Sequence, residues 1–235
     1  LVRDRLGIKP LYYAVAGDLL VFASELKSLL ASGLVGDELD HEAIDAYLTF
    51  GFFPAPATPL RQVRKLEPGH RLVADPEGHR IERYWAYPLP SPDPVRSDPR
   101  EMTEALFDEL DEAVRLRLMS DVPLGAMLSG GLDSRAVLAA LLRHRSPRDI
   151  VTLTFGVPGS LDYEIGNAVA RRAGTRHVEL DLRTRDLDCD RLMRTADWTD
   201  ANTDIVFPAV WTFIHDELGN SDVTYWTGFT GDGIG

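Results

Sequence analysis

Leu128-Ser129-Gly130-Gly131-Leu132-Asp133-Ser134 joins a short apolar run, residues 123–128, to a longer one, residues 136–142. The first has strand length and the second helix length, so the stretch reads as a strand–loop–helix junction. Gly130 and Gly131 let the backbone turn tightly and leave its N–H groups uncovered. The helix that follows turns its positive end, with unpaired N–H groups, toward the same point. Such a junction suits an anion, phosphate or pyrophosphate, with Ser129 and Ser134 as hydroxyl donors. Asp133 beside a phosphate calls for a bridging cation, and a hard divalent ion such as Mg2+ fits carboxylate and phosphate oxygens. The Lys of the Walker loop is missing. The alternative is an ordinary strand–turn–helix in which Asp133 or Ser134 is an N-cap.

Outward from this loop, residues 101–118 space Leu106, Leu110, Val114 and Leu118 by four, the pattern of an amphipathic helix. Downstream, residues 150–155 read as a strand, 165–173 as a helix and 177–182 as a strand. The alternation predicts an α/β domain, a parallel sheet covered by helices on both faces. Upstream the chain reads mostly as strands. A hairpin is expected over 11–15 and 19–23 around Gly17-Asp18, a short helix over 25–31 stopped by Gly33, and a helix through Leu48 capped by Asp40. Residues 66–73, broken by Pro68-Gly69, and 80–85 read as further strands. Between the two halves, Pro88, Pro90, Pro92 and Pro94 fall within seven residues. Proline lacks a donor and fixes φ, so this stretch reads as an extended linker. The expected division is 1–87, a linker over 88–100, and 101–235.

Of 235 residues, 25 are Lys or Arg and 37 Asp or Glu, a formal net charge of −12 that argues against a nucleic-acid binder working by phosphate neutralisation. Hydrophobic residues at 44% and charged residues at 26% are the mix of an ordinary globular chain. No apolar run reaches the roughly 18–20 residues that span a bilayer. The lone cysteine, Cys189, excludes an intrachain disulfide, no Cys/His cluster has zinc spacing, and a reducing cytoplasm is the expected location. Cys189 sits among acidic residues and is expected to be an unreactive thiol. Asp197, Asp200 and Asp204, spaced by three and four, suggest a solvated acidic helix face rather than a metal site. The chain starts without Met or a leader and ends on turn-forming residues, so it reads as part of a longer protein.

Residues 129–134 resemble the pyrophosphate loop of the ATP pyrophosphatases, and residues 120–134 as a whole are similar to the glutamine-dependent asparagine synthetases. Residues 3–13 (Arg3-Asp4-Arg5-Leu6-Gly7-Ile8-Lys9-Pro10-Leu11-Tyr12-Tyr13), residues 22–28 and Leu66-Glu67-Pro68-Gly69-His70 resemble the end of that family's glutaminase domain. The resemblance implies an Ntn-type α+β sandwich that hydrolyses glutamine with an N-terminal cysteine lying outside this chain. It also implies a second domain that adenylates a carboxylate, aspartate in the asparagine synthetases, with ATP and Mg2+. Ammonia then displaces AMP, giving asparagine. Asp133 would be the Mg2+ and pyrophosphate ligand, with Ser129, Gly130, Gly131 and Ser134 around it. Met127 would lie under the nucleotide and Phe155 would meet the adenine through its backbone; both could equally be core. Asp4 matches a position near the glutamine site, or forms an ion pair with Arg3 or Arg5.

The family's second loop corresponds to Thr227-Gly228-Phe229-Thr230-Gly231-Asp232-Gly233. Thr227 and Gly228 keep the nucleotide contacts and Asp232 the metal carboxylate. Phe229 and Gly233 stand where the family has acidic residues, so no residue is assigned to the acyl chemistry. Related amidoligases that close β-lactams or lasso-peptide macrolactams vary in this loop and are the alternative, as is a nucleotide-binding pseudoenzyme. Arg135 replaces a serine common in asparagine synthetases. Glu164 either contacts the site or simply favours a helix start, and His177 reads as a satisfied core residue. The implied partners are ATP, glutamine or ammonia, and a carboxylate, with neither nucleic acid nor membrane; a homodimer fits the family.

Overall fold

The first hairpin forms where the Gly17-Asp18 turn separates two apolar runs. In the computed structural model, which describes residues 1–89, 98–183, 188–200, 206–219 and 223–226, strands β1 (Tyr12–Ala16) and β2 (Leu19–Ala23) pair antiparallel with Tyr12 opposite Ala23. Gly17 takes φ 61, which a side chain would disfavour. A two-residue strand β3 (Arg64–Lys65) adds to the other edge of β1, giving the order β2-β1-β3. The expected strand over 66–73 starts only at β4 (His70–Asp75), because Pro68 and Gly69, at φ 67, form the turn before it. Strand β4 pairs with β5 (Gly78–Arg83). Helix α1 (Leu26–Ala31) packs Leu26 and Leu29 on Tyr12, Ala14 and Val63. Helix α2 (His41–Phe50) starts at Asp40, whose carboxylate accepts from Ala43 N at 3.1 Å, and runs past Leu48 to Gly51 at φ 76.

Helix α1 has no side-chain cap of its own. Its first N–H groups go instead to Asp200, whose carboxylate accepts from Leu26 N at 2.7 Å and Lys27 N at 3.3 Å. Asp200 lies two residues beyond helix α6 (Cys189–Trp198), at φ 55, with a side chain only 9% exposed. The acidic helix face expected from Asp197, Asp200 and Asp204 is thus not formed: Asp200 has left the helix to serve as a cap, and Asp204 lies outside the described residues. Burial, and then the Asp200 charge, push the Tyr12 phenol up to about 12. These contacts explain a grouping the linear sequence conceals. One compact unit comprises Leu1–Pro92 with Cys189–Thr212, and the other Asp93–Asp188 with Phe213–Gly235.

In the second unit, helix α3 (Pro99–Arg115) starts two residues before the expected point, where the Asp98 carboxylate accepts from Arg100 N at 2.9 Å and Pro99 occupies the first turn. Of its apolar stripe, Val114 is buried and Leu110 half-buried, but Leu106 is 69% exposed. The core takes only the last turns of α3 and the Leu118 that follows. Strands β6 (Leu124–Met127), β7 (Ile150–Gly156) and β8 (Arg176–Asp181) alternate with helices α4 (Leu132–His144) and α5 (Leu161–Ala173). A short β9 (Thr224–Trp226), preceded in sequence by helix α7 (Val206–Leu218), joins β6 from the other side. The sheet order is β8-β7-β6-β9 and every pair is parallel. Leu138, Leu141 and Ile150 form its core with Ala126 and Leu124. Each such large apolar side chain contributes about 2 kcal/mol on burial, so the strand that carries the loop, itself buried at all four positions, is anchored in this core. Among the described residues no helix is long and apolar enough to cross a membrane.

Candidate functional site

Strands β7 and β8 lie to one side of β6, and β9 to the other. The strand order therefore reverses at β6, and the crevice beyond the carboxyl end of such a strand is where open parallel sheets place ligands. Residues 128–131 leave β6 there. Leu128 N continues the ladder to Leu153 O at 2.8 Å, and helix α4 begins at Leu132.

The loop is tied from inside by hydroxyls. Ser134, 7% exposed, accepts from Ser129 N at 3.2 Å and lies 3.2 Å from both Ser129 Oγ and Gly131 O. Ser129 Oγ accepts from Gly131 N at 3.1 Å. Arg135 Nε donates to Gly131 O at 3.0 Å, so the arginine that departs from the family's serine braces the loop. Neither Gly130 nor Gly131 has a left-handed φ. The reason for glycine is space: a Cβ on Gly130 would sit 2.8 Å from Asp162 Oδ1, and one on Gly131 would sit 3.2 Å from Ser129 Oγ.

Helix α4 has no side-chain cap, in contrast to α2 and α3. Its first-turn N–H groups have no intrahelical acceptor and face the loop's opening. Asp133 stands in that turn, exposed, and among the described residues its carboxylate makes no hydrogen bond or ion pair. Met127, 8% exposed, and half-buried Phe155 lie near the ends of the neighbouring strands β6 and β7. Thr227, Gly228, Phe229, Asp232 and Gly233 lie outside the described residues. Among the described residues no group of three or more His, Cys, Asp or Glu is placed to hold a metal. A hard cation held mainly by nucleotide phosphates and water needs only one or two carboxylates, and Asp133 offers one.

Asp162, in the first turn of α5, reaches the loop: its Oδ1 accepts from Gly130 N at 3.1 Å. Helix α5 comes close enough because of Gly166, four residues on and on the same face. A Cβ at Gly166 would lie 2.8 Å from both Leu128 O and Thr154 Oγ1. No linear pattern announces this contact. Glu164 turns away and accepts from Gly159 N at 3.0 Å, closing the turn before α5.

A polar chain, buried at Thr152 and Asn167, links α5 to strands β7 and β8. His177 Nε2 donates to Asn167 Oδ1 at 2.7 Å, while Asn167 Nδ2 donates to Glu179 at 3.1 Å. Thr152 Oγ1 is 2.9 Å from His177 Nδ1 and 2.6 Å from Thr175 Oγ1. With Nε2 protonated, Nδ1 accepts from Thr152, so every partner suits a neutral ring. Burial lowers the His177 pKa, with Glu179 opposing. The unfolded chain then takes up a proton that the folded chain refuses, and this part of the stability is lost as pH falls below the unfolded value of about 6.5. Urea midpoints between pH 7.5 and 5 are expected to fall more steeply for the natural chain than for His177→Asn. Parallel profiles would reject this role.

Asp4 lies in the other unit. Its carboxylate accepts from Leu6 N, Ile8 N and Lys9 N at 3.0–3.2 Å, and the Lys9 and Ile8 bonds hold its pKa below the usual range. The ion pair with Arg3 or Arg5 is not made, for Arg3 donates to three carbonyls, of Gly7, Lys9 and Leu66. Cys189 is exposed at the start of α6. Lys65 was not anticipated: it donates to Phe53 O at 3.2 Å and lies over the Tyr12 ring, and burial brings its pKa down to about 8.

Fold and loop together define a parallel α/β domain with a glycine–serine loop at its switch point, in a chain that also carries a unit built of antiparallel hairpins. Residues 105–233 match the family described as asparagine synthase, and residues 1–85 match the glutamine amidotransferase domain. The chain belongs to the asparagine synthase family. It is 31% identical over 177 residues to asparagine synthetase [glutamine-hydrolyzing] 1 of Bacillus subtilis, covering 75% of this chain and 27% of the relative. It is 39% identical over 145 residues to amidase chry2 of Gibberella zeae, covering 60% and 21%. A relative from Methanocaldococcus jannaschii, 35% identical, is matched over 31% of its length. The chain thus spans about a third or less of the length of these curated relatives.

Proposed function

We propose that the full-length protein is an ATP-dependent amidoligase that activates a carboxylate as its adenylate and transfers ammonia drawn from glutamine. The observation that carries this reading is the Ser129–Ser134 loop at the carboxyl end of β6, facing an α4 start that no side chain caps. First-turn N–H groups of α4 would bind the leaving pyrophosphate. Ser129 and Ser134 would hold the loop's shape, and Asp133 would hold Mg2+, which when bound offsets charge on the phosphates. Met127 and Phe155 would border the adenine, Thr227, Gly228 and Asp232 would complete the site, and Asp4 would keep the glutamine-site loop in form. The division into 1–87, 88–100 and 101–235 belongs to the same proposal, supported by family matches on either side of the proline-rich stretch.

Aspartate is the first candidate carboxylate, giving asparagine, AMP and pyrophosphate. A second reading rests on Phe229, which can neither take a proton nor hold a cation where the family has an acidic residue: an amidoligase acting on another carboxylate. The similarity to amidase chry2 shows that such sequences extend beyond proteins named asparagine synthetase. Pyrophosphate release by the full-length protein from Mg-ATP and ammonia, with and without aspartate, separates the two. Aspartate-dependent release supports asparagine formation. ATP binding with no response to aspartate transfers the proposal to the second carboxylate class, and absence of ATP binding removes both.

A further inference from the structure

Three N–H groups of the loop are occupied, and their partners differ in kind. Those of Ser129 and Gly131 go to the hydroxyls of Ser134 and Ser129, which belong to the loop itself. A hydroxyl can reverse and donate to an arriving anion. The N–H of Gly130 goes to a carboxylate from another element, Asp162 at the start of α5, and a carboxylate only accepts. The contact is close enough that a Cβ on Gly130 would meet Asp162 Oδ1 at 2.8 Å. Asp162 is also exposed, so its side chain is free to swing into solvent.

We propose that Asp162 is a specificity-determining gate for the phosphate loop: it occupies the Gly130 N–H in the empty site and repels polyphosphate that arrives without a neutralising metal. This inference rests on the loop being a phosphate site. An incoming phosphate oxygen must displace Asp162 or lie beside it, and either costs more when the anion's charge is uncompensated. A brace that merely shaped the loop would behave in the opposite way, since its removal would weaken binding of every anion.

The sign of one change distinguishes gate from brace. Inorganic pyrophosphate is titrated calorimetrically into the full-length protein, once in EDTA and once with excess Mg2+, for the natural chain and for Asp162→Asn. Asparagine keeps an oxygen for Gly130 N–H and removes the charge. The expected result is metal-free pyrophosphate bound about ten-fold or more tightly by Asp162→Asn, with a much smaller change in Mg2+. Equal or weaker metal-free binding overturns the gate. If Asp162→Asn fails to fold, Asp162→Ser, with its shorter neutral side chain, is read by the same criterion. If the natural protein binds pyrophosphate in neither buffer, the phosphate site itself is wrong and the gate falls with it. A natural protein that binds in Mg2+ while the variant gains nothing in EDTA removes the gate alone.

Discussion

Asp133→Ala in the full-length protein is expected to stop pyrophosphate release from ATP while leaving the fold intact. Among the described residues the Asp133 carboxylate has no protein partner, and it stands exposed in the first turn of an uncapped helix. Its removal breaks no packing and forfeits only a modest favourable interaction with the helix end. Release should drop by about a hundred- to a thousand-fold, the usual cost of losing one preorganised group that acts on developing charge. Circular dichroism and the urea midpoint should change little. A variant that keeps release within ten-fold of the natural rate would refute the assignment of Asp133 to the phosphates.

Gly166→Val is expected to do the reverse, damaging fold and site together. The added Cβ would fall 2.8 Å from Leu128 O and 2.8 Å from Thr154 Oγ1. The first is backbone at the very exit of β6, and the second donates to that same carbonyl at 2.9 Å. Neither can yield without moving strand or loop, so α5 must lift. Overpacking of this kind costs about 1–3 kcal/mol and occasionally more; a backbone neighbour, Leu128 O, at the end of a fully buried strand puts this case at the upper end. Any shift at Leu128 O also distorts the loop that leaves β6 there. The expected outcome is a lower urea midpoint together with weakened binding of pyrophosphate in Mg2+. An unchanged midpoint would mean that the helix does not need this approach.

What could be read in advance was local. The apolar runs at 123–128 and 150–155 became β6 and β7, Asp40 became the cap of α2, and the loop fell between strand and helix as its composition required. His177 was expected to be satisfied, and it is, by Thr152 and Asn167. The failures share one cause. Leu106 fits the period of α3 yet remains exposed, because period states which residues share a face and not how much of that face is covered. Gly130 and Gly131 were expected to serve conformation, yet they serve clearance, and at Gly130 that clearance depends on Asp162, 32 residues downstream. Asp200 matched a helical spacing but capped a helix 174 residues upstream. Contacts at such separations leave no trace in a window of neighbouring residues.

The Asp200 cap bears on how this gene could be cut and rejoined. The two family matches sit side by side, as though they were cassettes. A piece ending at the proline-rich stretch, however, would leave Leu26 and Lys27 without their acceptor and would lack Cys189–Thr212, which complete its compact unit. A chimera carrying residues 1–88 of this chain on a relative's second half would inherit that gap unless the relative supplied an aspartate at the matching turn. Exchange between family members is thus constrained by a pairing that any single crossover between residues 27 and 200 breaks.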